Sequence, residues 1–219
     1  MTGTQGATGE ICLSLSEVAA LCRGAARGAG CRWGLAEEYG TAAVWLARHQ
    51  LDWGEAILGN LASGSNTGFH PAPGVWRSEG NLCPIRAGTA LCDFAALPEG
   101  PIRGVDLGCV EQPILLLPFV HRVSQKLRLP LRVIAGGTEL GVLGPDGCDL
   151  HNPRREPMPV GIHPARNVSP KAQGLCRTTS VPARVVARLT DLVMATAVPS
   201  SEVSARRAGG DVPERDGDI

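Results

Sequence analysis

Between Ala26 and Glu38 the chain reads Ala-Arg-Gly-Ala-Gly-Cys-Arg-Trp-Gly-Leu-Ala-Glu-Glu, its densest run of chemically capable side chains. Arg27 and Arg32 flank Gly28 and Gly30, whose bare backbone lets an anion approach closely. A helix starting at Trp33 aims partial positive charge at the same place. That combination suits a phosphate or a carboxylate, with Trp33 as a wall. The same residues also read as an ordinary helix C-cap carrying a solvated arginine. Glu37 and Glu38 are candidate proton-transfer groups, but neighbours on a helix point about 100° apart, so one ligand meets only one of them. Either serves equally well as the ion-pair partner of Arg27 or Arg32, and acid–base work needs burial to raise a carboxyl pKa.

Three further places hold candidates. Gly136-Gly137 follows an apolar run and is a candidate ligand-binding turn, although it lacks the G-x-G-x-x-G and P-loop spacings and reads equally as a hairpin turn. His70 stands with Phe69 and Trp76 in a Ser/Gly/Asn/Pro-rich stretch, Ser63 to Asn81, read as a long functional loop, which makes it the first histidine to consider for catalysis. Ser201 is a candidate ligand-binding hydroxyl, or with Ser204 a helix cap. No G-x-S-x-G elbow marks a nucleophile. The eight cysteines are scattered without a C-x-x-C pair, which favours reduced, buried thiols. No Cys/His spacing suits zinc, so no metal site is expected, and no pattern names a cofactor.

The elements that must position these residues are legible in part. Ser14 and Glu17 form a capping-box pattern, with Leu13 and Val18 at staple spacing, and Val18, Leu21, Cys22 and Ala25 make one stripe of a helix ending near Gly28. Trp33 to His49 is a second helix, and Asp52 with Glu55 caps a third. Beyond the loop, Ile85–Cys92, Ile102–Leu107, Ile114–Val120, Leu131–Ala135 and Glu139–Leu143 are short apolar runs read as strands, with a turn at Gly144–Gly147. Cys148 to Cys176 reads as loop with one strand near Met158–Ile162, and Arg184–Ala195 as a last amphipathic helix.

Leu13-Ser14-Leu15-Ser16-Glu17 together with Arg27-Gly28-Ala29-Gly30-x-x-Trp33-Gly34-Leu35-Ala36-Glu37-Glu38 resembles the N-terminal signature of a bacterial family of unknown function and of about this length. Thr196-Ala197-Val198-Pro199-Ser200-Ser201-Glu202-Val203-Ser204 resembles that family's C-terminal signature, with Ala205 where the signature has an arginine and Arg207-Ala208-Gly209-Gly210 in place of its glycine-alanine run. The resemblance spans the chain and implies motifs but no reaction. The opening helices, continuing through Ala43-Val44-Trp45-Leu46-Ala47-Arg48-His49, are also similar to the start of the malate and L-lactate dehydrogenase family, which includes NAD(P)-dependent cyclic ketimine reductases. Members of that family carry a catalytic histidine in a Ser-His-Gly near the third helix, where this chain has Asp52-Trp53-Gly54.

The 219 residues, 43% hydrophobic and 19% charged, suit one globular core. The formal net charge of zero offers no field to draw nucleic acid or an anionic membrane. With no signal-peptide pattern and no spanning apolar run, a cytoplasmic protein is expected. The reading is therefore an α+β domain over residues 13–205, between a flexible 1–12 and a disordered 206–219. It has a helical N-terminal segment, a central mixed or antiparallel sheet and a C-terminal helix. Functionally it points to an enzyme or enzyme subunit binding a small anionic metabolite. The alternatives are an accessory protein docking on a partner subunit or on its own copy, and a remote relative of the NAD(P) reductases.

Overall fold

A computed structural model describes residues 9–64, 68–151, 155–165 and 176–196. Ser14 marks the change from strand to helix. Its hydroxyl accepts from the Glu17 N–H at 3.3 Å, and the Glu17 carboxylate accepts from the Ser14 N–H at 2.7 Å, which is the reciprocal capping box expected. Upstream, β1 (Glu10–Ser14) pairs antiparallel with β9 (Thr178–Pro182), so regular structure begins inside the stretch expected to be flexible. Downstream come α1 (Leu15–Gly28), α2 (Trp33–Arg48) and α3 (Trp53–Ser63), the last with Asp52 accepting from the Glu55 N–H at 3.3 Å.

The remaining elements are β2 (Phe69–His70), β3 (Val75–Ser78), α4 (Pro84–Asp93), β4 (Val105–Val110), α5 (Leu117–Leu127), β5 (Leu131–Ala135), β6 (Thr138–Leu143), β7 (Cys148–Leu150), β8 (Met158–Pro164) and α6 (Ala183–Met194). Seven strands form one sheet in the order β2-β3-β4-β8-β5-β6-β7, in which only β3 and β4 run parallel. This is the α+β arrangement expected: helices first, a mixed and mainly antiparallel sheet, then a C-terminal helix. Helix α5 packs on β5 and β6, α4 and α2 pack on α5, and α1, α3 and α6 complete the helical side.

Two expected strands are helices. The run Ile85–Cys92 lies in α4, which Pro84 opens at its first turn, where a missing N–H costs nothing. The run Ile114–Val120 is a 3-10 turn at Pro113–Leu116 leading into α5, with Pro118 again in the first turn. Ile114–Val120 is buried throughout, and continuous burial erases the periodicity that separates a short helix from a strand, whereas in α4 the buried Pro84, Ala87, Gly88 and Leu91 do keep helical spacing over a run short enough to pass for a strand. Ile102–Leu107 also divides, into a 3-10 turn at Pro101–Arg103 and the start of β4. The long loop contains β2 and β3: Trp76 is buried in the sheet, its ring stacks on Phe69 at 5.4 Å, and its Nε1 donates to the Glu99 carbonyl at 2.8 Å. β8, foreseen in outline, is the strand between β4 and β5.

Close approach explains two glycines. A Cβ on Gly28 would stand 1.6 Å from the Leu192 carbonyl oxygen, so α1 and α6 meet only because that side chain is absent. A Cβ on Gly88 would fall 2.3 Å from the Phe119 ring, where α4 crosses α5. Polar pairs also bind α2 to α5. Trp45 Nε1 donates to His121 Nδ1 at 2.8 Å, which fixes His121 as the neutral Nε2–H tautomer, and His49 stacks on the Trp45 ring at 3.9 Å. Burial first, then the neighbouring His49, holds His121 below its ordinary pKa of 6.5, and burial holds His49 below the same value.

These contacts set two expectations. Gly28→Ala should cost on the order of 3 kcal/mol, because backbone must move. Gly34→Ala, on an exposed turn of α2 with nothing within 4 Å of its Cβ, should gain up to about 1 kcal/mol. Urea midpoints distinguish them, and equal effects would contradict the packing described. For the histidines, a folded-state pKa lowered below the unfolded value means that the unfolded chain takes up protons first as pH falls below 6.5. Stability is therefore full above that pH and declines below it. The urea midpoint should fall between pH 7 and about pH 5.5, and His121→Gln should flatten the fall. An unchanged pH profile in that variant would show that His121 contributes nothing to it.

Candidate functional site

The residues expected to bind an anion are split between two surfaces. Arg27 folds back over the joint, donating from Nη1 to the Cys31 carbonyl, with its guanidinium 4.4 Å above the ring of Trp33. Trp33 is 68% exposed, so this cation–π pair straps the outside of the joint. Gly28 serves the contact with α6. Gly30, at φ +87°, and Arg32 do line a cleft.

The carboxylates lie elsewhere. Glu37 pairs with Arg23 at 3.0 Å on the exposed face of α1 and α2. Glu38 pairs with Arg122 at 2.6 Å, and that guanidinium lies 4.7 Å over the Phe119 ring, joining α2 to α5. Gly136 and Gly137, both with positive φ, form the two-residue turn joining β5 to β6, where Ala135 faces Thr138. His70 is exposed on β2 opposite Arg77, away from the cleft. At the position of the reductases' histidine, Trp53 is buried, with Nε1 donating to the Thr179 hydroxyl at 3.4 Å. Ser201 and the rest of the C-terminal signature beyond Thr196 lie outside the described residues.

The cleft itself, of about 510 Å3, opens between the α1–α2 joint, α2, α3 and the start of α4. Its depth is polar. Tyr39, 4% exposed, donates its hydroxyl to Asn60 Oδ1 at 2.6 Å. The Cys83 thiol donates to the same oxygen at 3.6 Å and lies 3.9 Å from the Tyr39 hydroxyl. Burial, then the proximity of Cys83 and Cys31, raises the Tyr39 phenol far above its ordinary range, which keeps it a proton donor. Asn60 is 2% exposed, and its Nδ2 has no hydrogen-bond partner among the described residues. A buried amide left this way costs about 1–3 kcal/mol.

Positive charge gathers around that donor. Arg32 and Arg86 both line the cleft. Arg32 is the N-cap of α2 and Cys83 the N-cap of α4, and neither makes a side-chain capping bond, so two helix starts direct their amide ends here. Cys31, which also lines the cleft, immediately precedes the N-cap of α2. Burial, then Cys83, raises its thiol pKa, while the Arg27 guanidinium works to lower it.

Tyr39, Asn60, Cys83 and Arg86 were not legible as site residues. Tyr39 reads as one more member of an apolar stripe, and Cys83 and Arg86 fall at the edge of a run taken for a strand. The available signals were Pro84, which marks a helix start at Cys83, and the fact that Tyr39 is the chain's single tyrosine. A larger and more open depression of about 670 Å3 sits beside β9 and α3, but its charges are matched: Arg155 with Asp52 and Arg184 with Glu55, each at 2.9 Å. Among the described residues there is no group of three or more His, Cys, Asp or Glu arranged to hold a metal, and no helix long and apolar enough to cross a membrane. All eight cysteines are free.

Residues 13–95 match the model of a family described as a protein of unknown function, DUF3726, which bears out the resemblance drawn from the opening signature. The matched stretch includes every residue lining the cleft, from Ala29 to Arg86. No curated protein and no solved structure matches the chain.

The shared oxygen of Asn60 makes a measurable unit. Tyr39→Phe should cost about 1 kcal/mol, as should Asn60→Leu, and the double substitution should cost clearly less than the sum. Strict additivity in urea unfolding would show that the two side chains do not interact.

Proposed function

We propose that the protein binds a small organic carboxylate in the cleft between α2, α3 and α4, as an enzyme or enzyme subunit of small-molecule metabolism. The observation that carries this reading is Asn60: a nearly fully buried amide whose Nδ2 lacks a partner, in a cleft that Arg32, Arg86 and two uncapped helix starts also line. Arg32 and Arg86 line it together with the buried polar side chains of Tyr39 and Asn60. A planar two-oxygen anion suits arginine forks, and a cleft of about 510 Å3 suits a metabolite of modest size. A second reading, docking on a partner protein, rests on the sheet face away from the helices, where Val75 is 45% exposed near Ile134 and Pro159.

A thermal-shift screen of the purified protein against small mono- and dicarboxylates, amino acids, phosphate and nucleotides tests this directly. A ligand at a hundred times its Kd stabilises the folded state by about 2.7 kcal/mol. The expected result is stabilisation by a carboxylate, weakened at least about tenfold in apparent Kd by Arg86→Ala or Arg32→Ala and less by Arg27→Ala, whose guanidinium lies on Trp33. Stabilisation by phosphate alone would move the ligand class. A carboxylate effect that survives both Arg32→Ala and Arg86→Ala would remove the cleft from consideration, and a well-folded protein with no response would favour partner docking.

A further inference from the structure

Two polar links, about two turns apart along α2, join that helix to α5. Glu38 pairs with Arg122 at 2.6 Å, and Trp45 Nε1 donates to His121 Nδ1 at 2.8 Å. The first joins opposite charges. The second holds only while Nδ1 carries no proton, because an indole N–H donates and offers nothing to accept a second N–H. His49 sits beside this link. Its Nδ1–H donates to the Trp45 carbonyl at 2.7 Å, its ring stacks on the indole at 3.9 Å, and it lies 6.5 Å from the His121 ring, edge on. The other nitrogen of His49 can take a proton without breaking either contact, and the resulting cation stays on the indole face. One proton thus has opposite effects on the two imidazoles: His49 keeps its bonds, and His121 loses its link to α2.

We propose that these three side chains form a proton-operated latch on the seam between α2 and α5. Protonation of His121 opens the Trp45 end of the seam within the folded protein, and His49, by taking its proton first, sets the pH at which this happens. A charge on His49 faces the His121 ring and opposes a second proton there. Burial first, then His49, holds His121 below its ordinary pKa, while the nearby Gly144 carbonyl works the other way. Burial also lowers His49, and Arg48 adds to that. The other charged groups around α5 are engaged elsewhere: Arg122, Glu38, Asp93 and Lys126 gather about Cys92, and Arg132 of β5 pairs with Glu139 of β6. The latch is therefore closed at neutral pH and opens as pH falls, and the Glu38–Arg122 pair still holds the other end of the seam.

The test follows the indole N–H resonance of Trp45 in the full chain by NMR from pH 7 to about pH 5.5, assigned by its loss in Trp45→Phe. The ring C–H signals of His49 and His121 report their protonation, and far-UV circular dichroism reports the global fold. The expected result is an upfield step in the indole proton that coincides with titration of His121, follows that of His49, and leaves the circular dichroism unchanged. His121→Gln, whose amide oxygen accepts at every pH, should abolish the step. His49→Gln should move it to higher pH, and His49→Phe, which keeps a stacked ring without the charge, should do the same if the glutamine variant does not fold. An indole resonance that stays fixed across the range overturns the latch, as does a step that coincides with global unfolding. A step left at the same pH when His49 is replaced, or one that precedes the titration of His49, overturns the role assigned to that residue.

Discussion

The hydrogen bond from the Tyr39 hydroxyl to Asn60 Oδ1, at 2.6 Å, is the contact on which the helical half of the molecule turns. Tyr39 belongs to α2, Asn60 to α3, and Cys83, the second donor to the same oxygen, begins α4. One buried acceptor therefore fixes the mutual placement of three helices. Within a low-dielectric interior such a shared bond is stronger than it would be in water, and a half-satisfied amide is correspondingly costly. Because both acceptor sites of Asn60 are turned inward to Tyr39 and Cys83, its amide nitrogen is left over. The same geometry that locks the helices leaves a buried donor unpartnered among the described residues, in a side chain that lines the cleft between them.

Around that contact, the charged residues of the opening signature act mainly as fasteners. Glu38 binds Arg122 across α2 and α5, Glu37 binds Arg23 across α1 and α2, and Arg27 covers Trp33 on the outside of the joint. Exposed pairs of this kind contribute little each, about 0–1 kcal/mol. Their effect is on orientation: they hold α2 in register with its neighbours, so that Arg32 at its start and Tyr39 two turns later face one cleft. The second link between α2 and α5, from Trp45 to His121, requires a neutral imidazole and ties that register to pH.

The parts of the fold that follow from local chemistry were legible. The capping box at Ser14, the Asp52 cap, the stripes of α1 and α2, the hairpin at Gly136-Gly137 and the helix α6 all express rules that act within a turn or two of chain. The misread parts are short apolar runs. Ile114–Val120 is buried throughout, so its apolar residues carry no period, while Ile85–Leu91 is too short for its helical spacing to stand out, and Pro84, which opens that helix, was the signal passed over. Trp76 and Phe69 lie amid loop-forming residues, yet they stack within the sheet because β3 finds β4, a partner distant in sequence.

For the candidate site the division is similar. The sequence by itself determined that arginine, glycine and cysteine would gather at the joint between two helices, since those residues are adjacent along the chain and the helix signals on either side are strong. It also determined the formal net charge of zero. Only the tertiary structure decided which of the joint's residues face inward. Arg32, Gly30 and Cys31 line the cleft while Arg27 and Trp33 turn out, and Asn60, Cys83 and Arg86 arrive from other helices to complete it. The physical reason is that a cleft is made by packing between elements: its lining depends on how α2, α3 and α4 cross, which is set by long-range burial and one shared hydrogen-bond acceptor, and neither leaves a mark at fixed spacing along the chain.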